Sequence, residues 1–388
     1  MKNKQYLYFL LCLLSILLIG QFSLNAQTNQ PIVGNPPQKV EDNFILEPAE
    51  YDVETWIENL DIPWEIVFLS ENKALVTERK GQIRLIENGN LEEAPYYVVE
   101  EVEHIGEGGL MGLAKHPQYP QQKYLYIMYT YSENNEIFNR VARYRDLDNT
   151  MEFDKIIIDE IPGSRVHNGG RIAFGPDGML YVCTGDTWQA ENAQDINNLS
   201  GKILRLTPEG DIPVDNPFND SPVYSLGHRN PQGLAWHPET ETLFSSEHGP
   251  SGEFGLRDKD IINIIEKGGN YGWPLVLGDT NVEPYIDPVI MWPRATPPSG
   301  MTFWNGDLLV ATLRSRTLIR ISLAPTEGSY EVSAIARLFA ADWYDGIYGR
   351  LRSAVAGPDN ALYVLTNNRD GRGTPQEGDD RILRITLR

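Results

Sequence analysis

The sequence predicts an all-β fold, a six-bladed β-propeller of four-stranded antiparallel blades, over residues 43–388. A short apolar run, a turn of Pro, Asp, Gly or Asn, and a second apolar run recur six times, and no long helical periodicity interrupts them. The second runs begin at leucines 50 to 65 residues apart, namely Leu75, Leu125, Leu180, Leu243, Leu308 and Leu362. That interval fits one four-stranded unit with variable loops, and a closed ring leaves few exposed edges. Two stacked sandwiches that resemble each other by chance are the alternative.

The individual runs have the composition of strands. They are rich in β-branched and aromatic residues, and the residues between them favour hairpin turns. Third strands follow several copies, at residues 81–86, 202–206, 317–321 and 381–385. Residues 43–60 precede the first copy, so we expect them to supply an outer strand to the last blade and close the ring.

Residues 1–26 have the composition of a signal peptide. Two lysines form a positive start, residues 8–20 are apolar but too short to span a bilayer, and Leu-Asn-Ala at 24–26 offers a cleavage site. A retained anchor helix is the alternative. Residues 27–42 are rich in Pro, Gly and Asn and predict a flexible leader. We therefore expect a periplasmic or secreted protein with no integral membrane segment after cleavage.

Composition narrows the class of protein. The formal charge of −21, from 33 basic and 54 acidic residues, argues against nucleic acid as a partner because a polyanion would be repelled. Loss of the signal peptide would also remove Cys12 and leave Cys183 alone, which excludes an internal disulfide and a cysteine metal cage. The sequence lacks the motifs of phosphate-binding loops, Rossmann nicotinamide enzymes and serine hydrolases.

Polar residues cluster just before and just after the repeated strands. His-Asn-Gly-Gly-Arg at 167–171 precedes the third copy, and Thr-Gly-Asp at 184–186 follows its second strand. If the segment between them is a hairpin, its ends meet and Asp186 can orient the His167 imidazole as a general base. Two unrelated turn residues are the alternative.

A second group of motifs indicates binding sites for an anion and for a cation. Residues 246–250, Ser-Glu-His-Gly-Pro, form a tight turn after the fourth copy whose exposed carbonyls suit Ca²⁺. Arg229, Arg314 and Arg350 fall in loops of three blades of an acidic protein. Each of these arginines, taken alone, is explained as a surface residue or as a partner of a neighbouring strand. Their convergence on one axis indicates an anionic ligand, since the guanidinium fork matches carboxylates and neighbouring arginines otherwise repel.

Together with Gly-His-Arg-Asn-Pro-Gln-Gly at 227–233 and Gly-Gly-Asn-Tyr-Gly-Trp-Pro at 268–274, these motifs resemble the soluble, pyrroloquinoline quinone (PQQ) dependent aldose sugar dehydrogenases of the glucose/sorbosone dehydrogenase family. The likeness runs from roughly residue 64 to residue 388. It implies a six-bladed propeller with PQQ over the central channel. It also implies oxidation of an aldose at C1 to the lactone, with hydride passing to the quinone and then electrons to an acceptor that the sequence does not identify.

The resemblance assigns the catalytic roles by motif. His167 would be the base that removes the proton of the sugar C1 hydroxyl, and Asp186 would hold its imidazole. Arg229 and Asn230 would contact the quinone oxygens.

The same resemblance assigns the remaining cofactor and metal contacts. Arg350 and Arg352 would bind the carboxylates of PQQ. The carbonyls of Gly249 and Pro250 would bind Ca²⁺, which polarises the quinone as a Lewis acid.

Two cofactor positions depart from the family pattern. Glu107 stands where relatives usually carry Gln, and it adds a negative charge beside a cofactor that has three carboxylates. Arg314 stands where the family has Lys, which keeps the charge but changes its reach. For the sugar site, Trp292 or Tyr271 is expected to form an apolar wall.

Two other function classes remain open because a propeller fold does not fix its function. One is a calcium-dependent lactone hydrolase, and the other is a non-catalytic propeller binding module. The pair formed by His167 and Asp186, with the arginines of three blades, favours the dehydrogenase over a hydrolase, which would need carboxylate-rich metal ligands at the channel. The whole set of retained polar positions argues against a binding module.

Overall fold

The computed structural model describes residues 30–388. The chain divides into two units, residues 1–31 and 32–388, and only residues 30 and 31 of the first are described. The predicted signal peptide therefore lies outside the described residues. The second unit is an all-β structure, 47% strand and 2% helix, whose six small antiparallel sheets form a six-bladed propeller. The predicted fold class is confirmed.

Three strands precede the first blade: β1 (Ile32–Val33), β2 (Asp42–Ile45) and β3 (Tyr51–Ile57). Strand β3 pairs antiparallel with the last strand of the chain, Ile382–Leu387. The N-terminal segment thus closes the last blade, as the sequence predicts. Strand β2 adds in parallel to the outer strand of the fifth blade, Tyr330–Leu338.

The blades follow one another along the chain. Blade 1 contains β4 (Pro63–Ser70), β5 (Lys73–Glu78), β6 (Gln82–Glu87), β7 (Asn90–Leu91) and β8 (Tyr97–Val98). Blade 2 contains β9 (Leu110–Lys115), β10 (Tyr124–Glu133), β11 (Glu136–Asp146) and β12 (Met151–Pro162). Blade 3 contains β13 (Ile172–Phe174), β14 (Leu180–Thr184), β15 (Lys202–Leu206) and β16 (Val223–Leu226).

Blade 4 contains β17 (Pro231–Trp236), β18 (Leu243–Glu247), β19 (Ile261–Ile265) and β21 (Ile290–Met291), while β20 (Val276–Leu277) pairs with β1. Blade 5 contains β22 (Pro298–Trp304), β23 (Asp307–Thr312), β24 (Leu318–Pro325) and β25 (Tyr330–Leu338). Blade 6 contains β26 (Leu351–Ala356), β27 (Leu362–Thr366) and β28 (Ile382–Leu387), completed by β3. Two short 3₁₀ helices lie in loops, at Ala190–Gln194 and Glu253–Gly255.

Two blades depart from the predicted four strands. In blade 1, two short strands share the outer edge of β6, because β7 and β8 each pair with a different part of it. In blade 5, β2 adds a fifth strand. Both additions lie at the outer edges of their sheets, where they cover backbone groups that would otherwise be unpaired.

The segment predicted as a flexible leader is held against the propeller from residue 32 onwards. Ile32 and Val33 pair in parallel with Val276 and Leu277. The side chain of Gln38 donates to the carbonyl of Met291 at 2.9 Å and accepts from its backbone N–H at 3.0 Å. The Pro, Gly and Asn content reflects an irregular path with few long strands, and no local pattern in the segment indicates its partners in blade 4.

The six repeat leucines form the centre of the blades. All six lie in the second strand of a blade and are buried. The first strands of successive blades contact one another around the central axis, except between blades 3 and 4, where β14 contacts β17. Because neighbouring strands are antiparallel, the start of each first strand and the end of each second strand lie at the same end of the propeller. Residues from every blade can therefore meet at that end.

Candidate active site

The loops at that end enclose a cavity of about 470 Å³. Its lining is dominated by six arginines from blades 4, 5 and 6 and their loops: Arg229, Arg257, Arg314, Arg316, Arg350 and Arg372. Three acidic residues also line it: Glu107, Asp258 and Asp260. In a protein with a formal charge of −21, this concentration of cations at one site favours an anionic ligand.

The turn that carries His167 has an unusual backbone. His167 has φ of 55°, in the left-handed region that L-residues rarely adopt. Its backbone N–H donates to Oε2 of Glu107 at 3.1 Å, and its carbonyl accepts from the N–H of Thr187 at 3.3 Å. The chain packs so closely here that a Cβ on Gly185 would lie 2.0 Å from the His167 carbonyl oxygen. Glycine is therefore required at 185, and the imidazole is fixed in direction.

His167 and Asp186 are brought together by the hairpin of β13 and β14. Ile172 pairs with Val182, so the two ends of the hairpin are adjacent. Nδ1 of His167 lies 2.7 Å from Oδ1 of Asp186. Nε2 of His167 lies 2.9 Å from Nη2 of Arg229, which can only donate. The imidazole therefore carries its proton on Nδ1 and presents a lone pair at Nε2, the form that a general base needs.

Asp186 is fully buried and holds several donors at once. Its Oδ1 also accepts from the backbone N–H of Trp188 at 2.9 Å, and its Oδ2 accepts from the indole Nε1 of Trp273 at 2.8 Å. Trp273 belongs to the Gly-Gly-Asn-Tyr-Gly-Trp-Pro motif at 268–274. That motif thus fixes the carboxylate that orients His167.

Arg229 lies between His167 and an acidic group. Its Nε donates to Oε1 of Glu253 at 2.7 Å, and its Nη1 donates to the carbonyl of His248 at 3.1 Å. The neighbouring Asn230 does not line the cavity. Its Oδ1 accepts from the N–H of Gly169 at 3.0 Å, which ties the fourth blade to the His167 turn.

Glu107 faces the cavity from the start of blade 2 and is paired. Its Oε1 lies 2.6 Å from Nη1 of Arg372, an arginine in the loop between β27 and β28. Burial alone would raise the pKa of Glu107. Attraction and a hydrogen bond from Arg372, with a smaller contribution from His167, outweigh burial and lower that pKa to about 2.

Arg350 and Arg352 line a smaller cavity of about 30 Å³ that adjoins the first. Arg350 donates to Oδ2 of Asp370 at 2.7 Å from Nη2. Arg352 donates to Oε1 of Gln232 at 2.8 Å. Burial, with repulsion from Arg79, lowers the pKa of Arg352 to about 9. A negative charge nearby would offset both the burial of this guanidinium and its repulsion by Arg79.

Gly249 and Pro250, whose carbonyls are predicted to bind Ca²⁺, line the larger cavity. The Gly249 N–H donates to Oδ1 of Asp260 at 2.9 Å, and this bond fixes the turn. The described residues contain no group of three or more His, Cys, Asp or Glu side chains placed to hold a metal ion.

The prediction that Trp292 or Tyr271 forms an apolar wall of the sugar site is wrong for both residues. Trp292 is 1% exposed, and Tyr271 is 6% exposed and stacks on His228, so both rings are used in packing. Trp188 is instead the tryptophan beside the His167 imidazole. Its ring centroid lies 5.0 Å from that of His167, and the side chain is 53% exposed.

The remaining predicted cofactor residue and several unpredicted ones complete the lining. Arg314 is exposed at the cavity, 5.5 Å from the ring centroid of Tyr344. Within the described part of the chain, three buried nitrogens of residues that line the two cavities have no hydrogen-bond partner: Nε of Arg79, Nε2 of His248 and Nε of Arg352. Arg372 follows the second strand of blade 6, and polar residues after second strands are the pattern that predicts the site, so the same rule identifies it.

A propeller with a buried histidine and carboxylate pair beside an arginine-lined cavity has the features expected of an enzyme that binds an anionic ligand at the end of its channel. The chain belongs to the Glucose / Sorbosone dehydrogenase family, whose sequence profile matches residues 60–383. It is accordingly an oxidoreductase of the sugar dehydrogenase type. The resemblance stated from the motifs is confirmed.

Individual relatives cover most of the chain. Aldose sugar dehydrogenase YliI of Escherichia coli (strain K12) is 32% identical over 357 residues, 84% of this chain and 92% of the relative. Quinoprotein glucose dehydrogenase B of Acinetobacter calcoaceticus is 30% identical over 438 residues, 86% of this chain and 88% of the relative. The PQQ-bound form of Aldose Sugar Dehydrogenase (Adh) from Streptomyces coelicolor has a TM-score of 0.78 and 35% identity, covering 88% of this chain and 99% of that one.

Proposed function

We propose that this protein oxidises an aldose at C1 to the lactone, with PQQ as the bound cofactor and His167 as the base. The observation that carries the proposal is the His167 imidazole, held at Nδ1 by Asp186, with Nε2 beside Arg229 in the lining of an arginine-rich cavity. When bound, PQQ would supply the two-electron acceptor for the hydride from C1. The names of the aligned relatives support this cofactor and substrate class.

The residues of the two cavities fit a polycarboxylate such as PQQ. Arg350 and Arg352 present guanidinium groups, which bind carboxylates through two parallel hydrogen bonds. The unpartnered nitrogens of Arg79, His248 and Arg352 are donors or acceptors that a polar ligand would satisfy. Arg314 adds an exposed cation at the rim of the larger cavity.

The proton step rests on this chain's own groups. Nε2 of His167 would accept the proton of the C1 hydroxyl, and the carboxylate of Asp186 would stabilise the resulting imidazolium through Nδ1. Arg229 must release Nε2 for the substrate, and its ion pair with Glu253 would remain as a partner for the guanidinium after that release. The carbonyls of Gly249 and Pro250 would hold a Ca²⁺ ion that acts as a Lewis acid toward the cofactor.

We also propose that Trp188 supplies the apolar face of the sugar site. Its exposed indole borders the base, and its backbone is held by Asp186. An aromatic ring can pack against the C–H face of a sugar while the hydroxyls bind polar groups. The same position would exclude water from one side of His167.

We further propose that the protein is exported, on the strength of the signal-like composition of residues 1–26. None of the helices in the described residues has the length and apolarity needed to cross a membrane. Cell fractionation with an antibody to the propeller would test this. Recovery of the protein with the cytoplasmic fraction would contradict it.

Reconstitution tests the function directly. The purified apoprotein is loaded with PQQ and Ca²⁺ and given a panel of aldoses with an artificial electron acceptor. We expect acceptor reduction that requires both PQQ and a sugar. Hydrolysis of lactones without PQQ would favour the lactone hydrolase, and sugar binding without turnover would favour the binding module.

A further inference from the structure

Glu107 is a carboxylate in a cavity otherwise built for an anion. Each of its two oxygens has a separate partner. Oε1 lies 2.6 Å from Nη1 of Arg372, and Oε2 accepts the backbone N–H of His167 at 3.1 Å. The residue therefore links the loop of the last blade to the turn that carries the base.

Arg372 is positioned by its own loop. Its backbone N–H donates to Oδ1 of Asp370 at 2.9 Å, and Oδ2 of Asp370 accepts from Nη2 of Arg350 at 2.7 Å. The Arg372 side chain is 57% exposed, and that of Glu107 is 24% exposed. Both residues line the larger cavity, so the pair can be expected to act on a ligand bound there.

We propose that Arg372 neutralises Glu107 so that the cavity accepts a polyanionic cofactor, while Glu107 remains the acceptor that holds the His167 turn. The proposal rests on the proposed function, since the polyanion is PQQ. A charged acceptor binds the N–H of a strained residue more strongly than a neutral one. The negative charge of Glu107 would repel the cofactor's carboxylates, and the guanidinium of Arg372 cancels that repulsion.

Four proteins and one control test the proposal by calorimetric titration of the apoprotein with PQQ in the presence of Ca²⁺. Arg372→Ala should weaken PQQ binding by about tenfold or more, because Glu107 is left as an uncompensated negative charge. Glu107→Gln should bind PQQ at least as well as the wild type. The double variant Glu107→Gln/Arg372→Ala should return to within about threefold of the wild type.

Arg384→Ala is the matched control. It removes one partly exposed arginine that pairs with Glu54 and Asp359 on the outside of blade 6, and so changes the net charge equally. Its affinity for PQQ should equal that of the wild type. An equal loss in this control would mean that the net charge, rather than the pair, sets the affinity, and would overturn the proposal.

Two further outcomes would overturn it. Arg372→Ala with wild-type affinity would show that Glu107 needs no compensation. A double variant as weak as Arg372→Ala would show that Arg372 acts on the cofactor directly. If the wild type itself binds no PQQ, the proposed function fails and this inference fails with it. If the wild type binds PQQ but a variant gives one of the contradicting outcomes, only this inference fails.

Discussion

Nδ1 of His167 and Oδ1 of Asp186 lie 2.7 Å apart although 19 residues separate them in the sequence. The short hairpin of β13 and β14 brings the two turns together, and Trp273 holds the far oxygen of the carboxylate. A base oriented in this way has one defined tautomer before substrate arrives. That preorganisation is the basis of the first prediction.

Asp186→Asn should slow the sugar-dependent reduction of bound PQQ, but less than removal of the imidazole does. The amide can donate to Nδ1 and favour the tautomer that carries its proton on Nε2, where the base must be free. Stopped-flow absorbance of the reconstituted protein measures the rate. Asp211→Asn, an exposed turn residue, is the control and should match the wild type. An Asp186→Asn rate equal to that of the wild type would refute the orienting role.

Trp188→Ala should raise KM for aldoses by about tenfold, because the apolar face of the sugar would lose its packing partner. The affinity for PQQ should stay unchanged, since Trp188 does not line the arginine cavity. Trp188→Phe should retain most of the wild-type KM. Steady-state kinetics with several aldoses provide the measurement, and an unchanged KM in Trp188→Ala would exclude the indole from the sugar site.

The Glu107 ion pair should make stability depend on acid pH. The pKa of Glu107 is about 2 in the folded protein, below its ordinary 4.5, so its contribution is complete above pH 4.5 and is lost as pH falls toward 2. Arg372, His167 and His248 are the charged or titratable groups whose attraction lowers this pKa.

The test compares Tm of the wild type and Glu107→Gln from neutral pH down to about pH 3. The wild type should be the more stable at neutral pH, and the difference should narrow in acid. A difference that does not vary with pH would mean that Glu107 is not stabilised in its ionised form.

PQQ and Ca²⁺ together should raise Tm, because a ligand that binds only the folded state stabilises it by about 2.7 kcal/mol at a concentration 100 times Kd. A chelator should reverse the part of the increase that depends on Ca²⁺. Differential scanning calorimetry with and without each component measures both effects. Equal stabilisation by PQQ in the presence of a chelator would argue against a carbonyl-bound cation at Gly249 and Pro250.

The repeat made the fold predictable because each blade buries a leucine near the start of its second strand. Hairpin turns are local, so the six copies could be recognised from short segments. The strap of residues 32–38 could not be, since its partners Val276 and Met291 lie more than 200 residues away and leave no local pattern.

The site was predictable where it lies in motifs and less so elsewhere. His167, Arg229 and Gly249 were found because they stand in dense polar turns at strand ends, and all three line the cavity. The sugar wall was misassigned because aromatic residues in those motifs are used for packing, as the stacking of Tyr271 on His228 shows. Which aromatic ring stays exposed depends on how separate loops pack, and that is not visible in a single segment.

The central claim is that His167 removes the sugar proton in a PQQ-dependent reaction. The most direct measurement is stopped-flow absorbance of bound PQQ after mixing with an aldose, for the wild type and His167→Ala at matched PQQ and Ca²⁺ occupancy. Positioned general bases contribute about 10²- to 10⁴-fold, so the variant should reduce PQQ at least about 10²-fold more slowly. Reduction at the wild-type rate would contradict the account.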